Sequence, residues 1–416
     1  MLAGECGRGC QKAMEILTAK GEAQGAEKMV KLSYAHLMPP DTMFFPFGRQ
    51  GMWAREMIGE LIEGVSSIRV PTTMEPKFVD LNIAKELSYS DGEIEEMRNI
   101  MLPAAELYES LGVIPSYSAL AFLINPTKRG KHVSIGESIS ILWYNTVLGS
   151  RCERDDGVTS MAGAITGVYP EVGVHIVENR FGEVIIKPGK DIDPANFSYS
   201  DWDLYALAVS RKSKEKTPIF LGLPSKLTCT QLKHLLAVMA VECGLALMHI
   251  VGQTPEAPTL EAAMGNRKPV AQYEIGKAEL DEALGLATTA TNPNVDYVFL
   301  GCPHCTMPEL RTIASILDGK RVNPNVRLFV CTNRQFLYAA EDMGYADIIR
   351  DAGAFLTESM CIAFAGTQVR GTIATDSLKA AFFLSGFSSK VTRQVWFGNI
   401  EDCVRAAITG KWKGNQ

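Results

Sequence analysis

The sequence has no surplus of positive charge and no long apolar run. Its 47 acidic and 41 basic residues give a net charge of -6 and an isoelectric point near 5.7. Proteins that bind nucleic acid usually carry a basic face, so nucleic acid is not an expected partner. No apolar stretch approaches the roughly 20 residues that span a bilayer, so no membrane association is expected. Glu5, Arg8 and Lys12 interrupt the N-terminal region, which therefore does not resemble a signal peptide.

The ten cysteines form no disulfide framework. In a long chain without an export signal we expect reduced thiols in a cytoplasm, free to bind metal. Only one C-x-x-C motif occurs, from Cys302 to Cys305, and a zinc site built from two such pairs would need a second. The apolar content of 46% and charged content of 21% are ordinary for a globular protein, and 416 residues suffice for two or three domains.

The segment around this motif has the pattern of a strand, a tight loop and a helix start. Tyr297 to Leu300 are apolar, Gly301 breaks the run, and helical spacing begins near Pro308. The carboxyl end of a buried parallel strand and the start of the next helix face one crevice. Two thiols with His304 at such a place predict a site for a metal or an anionic substrate. A redox pair, or a buried loop whose cysteines act as small apolar residues, are the alternatives.

The last third of the chain alternates strand and helix patterns with short linkers. This alternation predicts a doubly wound, largely parallel α/β sheet. Four residues with functional side chains follow predicted strand ends: Cys302, Thr332, Cys361 and Ser377. We expect them to line one edge of the sheet, which is where such folds bind ligands.

Polar residues also gather at three earlier places. His36 ends a strand-like run before a Pro-Pro turn, where a capped surface residue is the alternative to a functional one. Thr72 and Thr73 follow another strand pattern and either hold an anion or close a turn. Arg151 and Arg154 carry planar guanidinium groups that suit a carboxylate or a phosphate, unless they belong to a solvated loop.

Taken together, these stretches resemble the large subunit of the aconitase X family, a branch of the aconitase superfamily of dehydratases. The resemblance covers nearly the whole chain: residues 10–17, 33–36, 71–80, 136–138, 145–157, 162–167, the Cys302 loop, Cys361 and residues 374–382. It implies an aconitase-like multi-domain α/β arrangement. We predict an N-terminal α/β region over residues 1–135, a middle α/β region over 136–290, and a C-terminal doubly wound domain over 291–416.

The resemblance implies a hydro-lyase that removes water from a small hydroxy acid, with an iron-sulfur cluster or iron as the cofactor. Known family activities are dehydration of mevalonate 5-phosphate and of cis-3-hydroxy-L-proline. In the family three cysteines hold the cluster, and one iron stays open to take the substrate hydroxyl. Two of these ligands match Cys302 and Cys361. Where the family usually reads Pro-Thr-Tyr-Thr-Cys, this chain has Pro115 to Ala119, and the third thiol is missing.

Other departures from the family pattern add acid or sulfur near the expected site. Glu75, Glu153 and Asp376 stand where asparagine is usual, and Cys152 replaces a threonine. Cys152 or one of the added carboxylates is therefore a candidate third ligand, and for Cys152 a simple exchange of similar side chains is the alternative. A site with a different metal, or with none, is also compatible with the sequence. The added acidity favours an amine-bearing hydroxy acid such as a hydroxyproline over a phosphate.

The expected substrate-binding residues are Ser33, His36, Thr72, Thr73, Glu137, Ser138, Asn145, Arg151, Arg154, His175, His304, Thr332, Ser377 and Lys379. No catalytic base is assigned in this chain. The family supplies it from a small swivelling domain, which we expect as a separate small subunit. The competing interpretation is a non-catalytic paralogue that binds a metabolite and has lost its iron-sulfur cluster.

Overall fold

The computed structural model describes residues 1–39, 50–387 and 393–414. Three largely parallel sheets follow one another along these residues. The first takes its strands from residues 29–170, the second from 184–275 and the third from 297–397. The predicted α/β fold with largely parallel sheets is confirmed. The division into three regions stays a prediction, and its boundary at 135 falls inside the stretch that supplies the first sheet.

The elements of the described residues are numbered in chain order. The strands are β1 Met29–Leu37, β2 Thr72–Met74, β3 His132–Ile135, β4 Val168–Pro170, β5 Val184–Pro188, β6 Pro218–Phe220, β7 His249–Ile250, β8 Ala271–Ile275, β9 Tyr297–Leu300, β10 Arg327–Thr332, β11 Phe355–Glu358, β12 Thr372–Thr375 and β13 Gln394–Phe397. The helices are α1 Arg8–Ala23, α2 Gln50–Ile62, α3 Asp91–Ser110, α4 Ala121–Ile124, α5 Ser138–Thr146, α6 Gly157–Thr166, α7 Tyr199–Ser213, α8 Cys229–Glu242, α9 Leu260–Met264, α10 Lys277–Ala287, α11 Met307–Leu317, α12 Arg334–Asp342, α13 Tyr345–Asp351, α14 Ile362–Ala365, α15 Leu378–Phe382 and α16 Ile400–Thr409.

The third sheet has the strand order β11-β10-β9-β12-β13, and all its neighbouring strands are parallel. Chain order runs one way from β9 to β11 and the other way through β12 and β13. The switch point therefore lies between β9 and β12, and a crevice opens beyond their carboxyl ends. The loops after β9 and β12 meet there, because the Ser377 hydroxyl donates a hydrogen bond to the Cys302 carbonyl.

Most elements of the third sheet lie close to where the sequence places them. The apolar pattern from Val391 to Trp396 predicts a strand, which begins at Gln394 in the structure; Val391 itself lies outside the described residues. The run of residues 174–177 also predicts a strand, and this prediction is wrong, because residues 173–175 and 177–179 form two 3₁₀ turns. The Val174 and His175 carbonyls accept from the Arg180 and Arg151 side chains, and the next two carbonyls accept from backbone N-H groups of the second turn and the residue after it.

A buried network of charged groups joins helices α7 and α8 to the third sheet. Lys233 Nζ donates to both carboxylate oxygens of Glu309 at 2.7 Å. The His234 ring lies between Asp203 and Glu309, at 2.9 and 3.0 Å. Asp203 also accepts a bond of 2.8 Å from the backbone N-H of Leu378 at the start of α15. The position of His234 on an apolar helix face predicts a core residue; it is buried, but it belongs to a polar network.

Charge compensation sets the protonation of this network. Burial alone would lower the pKa of His234, but the Asp203 and Glu309 carboxylates outweigh it and raise the pKa to about 9. Burial would raise the pKa of Glu309, yet the neighbouring charge of Lys233 holds it well below its usual range. His234 is therefore an imidazolium that donates from both ring nitrogens, one to Asp203 and the other to the ionised Glu309.

Replacing His234 tests this assignment through the pH dependence of stability. The folded pKa of His234 lies above its unfolded value, so its contribution is complete below about pH 6.5 and is lost as the pH rises through 9. The difference in unfolding free energy between the parent and His234→Gln should fall by about 3 kcal/mol from pH 6.5 to 9. Urea unfolding at a series of pH values measures it.

His249→Gln is the matched control. Burial lowers the pKa of His249, whose ring donates to the Arg180 carbonyl, so its contribution should not fall above pH 6.5. If the difference in unfolding free energy between the parent and His234→Gln stays constant from pH 6.5 to 9, His234 is neutral in the folded protein.

Candidate active site

A cavity of about 190 Å³ lies where loops of the first and third sheets meet. Nearly all the segments that line it follow the carboxyl ends of parallel strands: β1, β2, β3, β9, β11 and β12. Its lining includes the polar side chains Glu75, Glu137, Ser138, Cys302, His304, Cys361 and Lys379. The apolar side chains of Met38, Phe364 and Phe383 also contribute. Thiols, carboxyl groups, an imidazole and an ammonium thus share one cavity.

Two thiols of the lining come from different loops. Cys302 follows β9, and Cys361 is the residue before α14. Burial raises the pKa of the Cys302 thiol to about 11 and that of Cys361 to about 12, so both are protonated at neutral pH unless a metal binds them. Cys305 completes the C-x-x-C motif but is not part of the lining, and its backbone N-H donates to the Cys331 carbonyl at 2.8 Å.

Position 119 lies in the same cavity and carries only a methyl group. Glu75 also lines the cavity. Its side chain is 7% exposed, and its Oε1 atom has no hydrogen-bond partner among the described residues. Burial, reinforced by the negative charge of Glu137, raises the pKa of Glu75 well above its usual value. The cavity therefore has an unsatisfied carboxyl oxygen on the wall that lacks the expected thiol.

Glu137 and Lys379 form an ion pair on the cavity wall. Lys379 Nζ donates to Glu137 Oε1 at 2.9 Å and to Ser138 Oγ at 3.1 Å. The other carboxylate oxygen of Glu137 caps α5 by accepting the Ser140 N-H at 2.7 Å. Burial would raise the pKa of Glu137, but the charge of Lys379 dominates and lowers it. Burial would likewise lower the pKa of Lys379, and the Glu137 carboxylate holds it above its ordinary value. Both groups are therefore ionised.

Two buried histidines lie at or behind the cavity. His304 lines it, its Nε2 donates to the Met360 carbonyl at 3.1 Å, and its Nδ1 has no partner in the described part of the chain. His36 does not line the cavity. Its Nδ1 is 2.7 Å from Thr73 Oγ1, which in turn bonds to the Tyr34 hydroxyl. Burial lowers both pKa values to about 4, so both rings are neutral. The alternative of a surface-facing His36 is wrong, because its side chain is completely buried.

Lys233 and several of the predicted site residues hold the loops in place. Lys233 Nζ donates to the carbonyls of Pro303 and His304, both at 3.3 Å. Thr332 Oγ1 donates to the Cys305 carbonyl at 2.8 Å, and the Ser377 hydroxyl donates to the carbonyl of Cys302. Thr72 Oγ1 donates to the Val70 carbonyl at 2.8 Å, which closes the turn before β2. Ser33 is half-buried on β1 and does not line the cavity.

The remaining predicted residues lie outside the cavity lining: Asn145, Cys152, Arg151, Arg154 and His175. The Asn145 side chain binds the backbone of Cys152 and accepts from Arg180 at 2.9 Å. Arg154 donates to the Ala240 carbonyl, and Arg151 to that of His175. The Cys152 thiol is fully buried and donates to the Glu153 carbonyl at 3.3 Å. The structure does not bring Cys152 to the two cavity thiols.

Two functional features are missing from the expected site residues. Glu75 is expected near the site as an added acid but is not among the expected substrate-binding residues, although it directly follows a strand end, the signal that located the cysteines. The Lys233 network was missed as well. One sequence signal for this network is the capping box Thr306-x-x-Glu309, in which the Thr306 N-H and hydroxyl both donate to Glu309 at 2.7 Å. A second signal is the adjacent pair Lys233 and His234 in a largely apolar helix.

Comparisons with known proteins agree with this arrangement. The first, second and third domains of aconitase X match residues 1–178, 182–285 and 295–409. The chain is 33% identical to the phosphomevalonate dehydratase large subunit of Methanothermobacter thermautotrophicus, over 93% of this chain and 92% of that protein. It is 27% identical to the cis-3-hydroxy-L-proline dehydratase of Pseudomonas aeruginosa, over 99% of this chain and 69% of that protein. The crystal structure of Thermococcus kodakaraensis aconitase X in its holo-form aligns with a TM-score of 0.83 at 26% identity, covering 98% and 97% of the two chains.

The fold, the cavity and these relatives define the chain as a hydro-lyase of the aconitase-like superfamily. Within that class it belongs to the aconitase X family. The interpretation as a non-catalytic metabolite-binding paralogue is not favoured, because these relatives are dehydratases. The designation of relatives as large subunits implies a small-subunit partner. No helix in the described ranges is long and apolar enough to cross a membrane.

The Glu137 and Lys379 pair should behave as a buried ion pair. Lys379→Met leaves the Glu137 carboxylate buried without its counter-charge, so we expect a loss of about 3 to 5 kcal/mol in unfolding free energy. The double variant Lys379→Met with Glu137→Gln removes both charges and should recover more than half of that loss. Urea unfolding of the parent, the two single variants and the double variant gives the coupling energy.

The exposed pair Lys277 and Asp281, whose charged atoms are 2.8 Å apart, provides the control. Lys277→Met should cost about 1 kcal/mol or less, because solvent screens surface pairs. Additive losses at Glu137 and Lys379, with no recovery in the double variant, would contradict a buried ion pair.

Proposed function

We propose that this chain is the large subunit of a dehydratase that removes water from a small amine-bearing hydroxy acid, of the cis-3-hydroxy-L-proline type. The charge of the cavity lining carries this proposal. Glu75 and Glu137 face a single ammonium group, Lys379, which already pairs with Glu137, and no arginine within residues 1–39, 50–387 and 393–414 is part of the lining. A phosphate would find no unpaired cation among these residues. A zwitterion brings its own positive charge to the acidic wall.

The donor groups of the cavity fit an iron-sulfur centre. Cys302 and Cys361 would hold it through their thiolates, and the buried Glu75 oxygen without a partner offers a third donor nearby. Within the described ranges, no three cysteine, histidine or carboxylate ligand atoms of this cavity lie within 4.8 Å of one another. A single ion binds its ligands at about 2.0 to 2.3 Å, so these residues do not form a ready single-ion site as they stand.

Such a centre, when bound, supplies an open metal position that polarises a leaving hydroxyl. The chain's own residues would bind and orient the substrate. Lys379 uses two of its three N-H donors on Glu137 and Ser138, which leaves one donor for the substrate carboxylate. The ionised Glu137 would accept a hydrogen bond from the substrate amine. Met38, Phe364 and Phe383 would exclude water around the reacting carbon atoms.

We propose that the base that removes the substrate proton belongs to a separate small subunit with a swivelling domain. Glu137 is committed to Lys379, and His304, with a pKa of about 4, is a weak base. The names of two relatives support a separate partner, because both are large subunits of phosphomevalonate dehydratases.

Mevalonate 5-phosphate is the second candidate substrate, and sequence identity favours it. The chain is 33% and 30% identical to phosphomevalonate dehydratase large subunits from Methanothermobacter thermautotrophicus and Methanocaldococcus jannaschii, against 27% for the hydroxyproline enzyme. Both candidates lose water from a carbon chain that carries a carboxylate, so both are compatible with the same hydro-lyase chemistry. They differ in the charge that the cavity must accommodate.

Assays with both substrates separate the two candidates. The chain is produced anaerobically together with its small subunit, and dehydration is followed for cis-3-hydroxy-L-proline and for mevalonate 5-phosphate. We expect turnover of the amino acid with a kcat/KM at least about a hundredfold higher, equivalent to about 2.7 kcal/mol of discrimination. Preferential turnover of mevalonate 5-phosphate would establish the second candidate instead.

Iron and sulfide content tests the assignment of the thiols. Cys302→Ser and Cys361→Ser should each lose most of the iron and acid-labile sulfide of the anaerobically purified protein, because each removes a soft sulfur ligand. Cys305→Ala and Cys152→Ser are matched controls, because these buried thiols do not line the cavity. Loss of iron in either control with retention in Cys302→Ser would contradict the assignment.

A further inference from the structure

We infer that the Glu75 carboxylate is the third protein ligand of the iron-sulfur centre and replaces the thiolate that Ala119 cannot supply. This inference rests on the proposed function, since it assigns a ligand to the same centre. Glu75, Ala119, Cys302 and Cys361 all line the one cavity. The Ala119 side chain has no lone pair, so position 119 contributes no ligand.

Backbone hydrogen bonds place Glu75 between the Ala119 segment and the Cys361 segment. On one side, the Ser118 N-H donates to the Met74 carbonyl at 3.1 Å, immediately before Glu75. On the other side, the Cys361 N-H donates to the Lys77 carbonyl at 2.9 Å. The chain around residues 75–77 therefore runs beside the missing-ligand position and beside an existing ligand.

The strand pairing holds this placement in register. Strand β2 pairs with β1, and the Glu75 N-H continues the ladder by donating to the Leu37 carbonyl at 2.8 Å. An isolated parallel bridge between Lys77 and Met360 then ties the segment to the third sheet. The chain thus passes from the first sheet at Glu75 to the third sheet at Lys77. Its position in the cavity wall is determined by regular backbone pairing.

The carboxylate of Glu75 lacks the partners that satisfy other buried acids of the site. Glu137 is bound by Lys379, Ser138 and the Ser140 N-H. Glu75 is only 7% exposed, and no described group bonds to its Oε1 atom. A buried carboxylate oxygen without a partner is costly unless a cation or a donor binds it. A metal bound by the neighbouring thiols is the group that would satisfy it.

A carboxylate also suits the chemistry of the exchange. Burial favours the protonated form of the free Glu75 side chain, and a bound metal would displace that proton as it would from a thiol. The metal-bound carboxylate would then carry the same single negative charge as the thiolate it would replace. Its side chain is longer than that of cysteine, which allows it to reach the centre from the segment beside position 119. Carboxylate oxygen binds iron, although it is a harder ligand than thiolate.

Iron retention in a set of four proteins tests the inference. The full chain is produced as the parent, Glu75→Gln, Ala119→Cys and the double variant, and each is reconstituted anaerobically with ferrous iron and sulfide. After desalting, iron and sulfide per chain and the Mössbauer spectrum are measured. Glu75→Gln should retain about tenfold less iron than the parent, because a neutral amide is a poor ligand. The double variant should regain iron, because the cysteine introduced by Ala119→Cys supplies the thiolate.

The Mössbauer spectrum gives a readout beyond iron content. In the parent, one iron with oxygen ligation should be distinct from the iron ligated by sulfur. In the double variant that difference should disappear. Glu153→Gln is the matched control: Glu153 is another acid that departs from the family pattern, but it accepts the Val174 N-H at 3.0 Å and does not line the cavity. Its iron content should equal that of the parent.

The outcomes distinguish failure of the iron-sulfur centre from failure of Glu75 as its ligand. A parent protein that takes up no iron would overturn the proposed iron-sulfur centre and this inference with it. Iron-loaded parent and Glu75→Gln proteins with the same iron content and spectrum would overturn the inference alone. Loss of iron in His304→Asn with retention in Glu75→Gln would assign the third ligand to His304. Should Glu75→Gln fail to fold, recovery of both folding and iron in the double variant still decides the question.

Discussion

The buried charge of Lys233 is the interaction on which the candidate site depends. It binds the Glu309 carboxylate and, through the same ammonium group, the carbonyls of Pro303 and His304. The Lys233 ammonium group on α8 therefore holds the loop that carries Cys302 in place. Removal of Lys233 would leave Glu309 and two carbonyl groups short of a donor in a buried environment, which is far more costly than the loss of a surface contact. His234 and Asp203 extend this support to the start of α15, and so to Lys379.

A second constraint is that the cavity takes its wall from two sheets. The third sheet alone supplies Cys302, Cys361, His304 and Lys379, whereas Glu75, Glu137 and Ser138 follow strands of the first sheet. The Lys77 and Met360 bridge and the Glu137 and Lys379 ion pair join the two sets. A metal held by the thiols and a substrate held by the ion pair would therefore depend on the same junction between sheets. Family membership identifies the chain as a hydro-lyase, and this junction explains how residues of two sheets form the candidate active site.

Much of the fold could be predicted from the sequence because its parallel strands are buried and bounded by clear helix signals. The sequence pattern predicts a helix over residues 307–317 and strands over 297–300 and 372–375, and α11, β9 and β12 have these bounds. Six predicted site residues reach the cavity: Glu137, Ser138, Cys302, His304, Cys361 and Lys379. Dense polar sequence was a poor guide elsewhere, because the arginines near Cys152 bind backbone carbonyls. Local pattern does not show whether a guanidinium group meets a ligand or the protein's own main chain.

The departures at positions 75 and 119 become one feature once the backbone is known. In the sequence they are 44 residues apart, so the lost thiol at position 119 and the added carboxyl group at position 75 look unrelated. The Ser118 to Met74 hydrogen bond brings them side by side, so a lost thiol and an added carboxyl occupy the same wall. A thiolate and a carboxylate contribute equal charge, and the ammonium of Lys379 faces the same total in either case. The site would thus keep its electrostatic balance while exchanging a soft ligand for a harder one, which is expected to alter the electronic properties of the centre more than its capacity to bind.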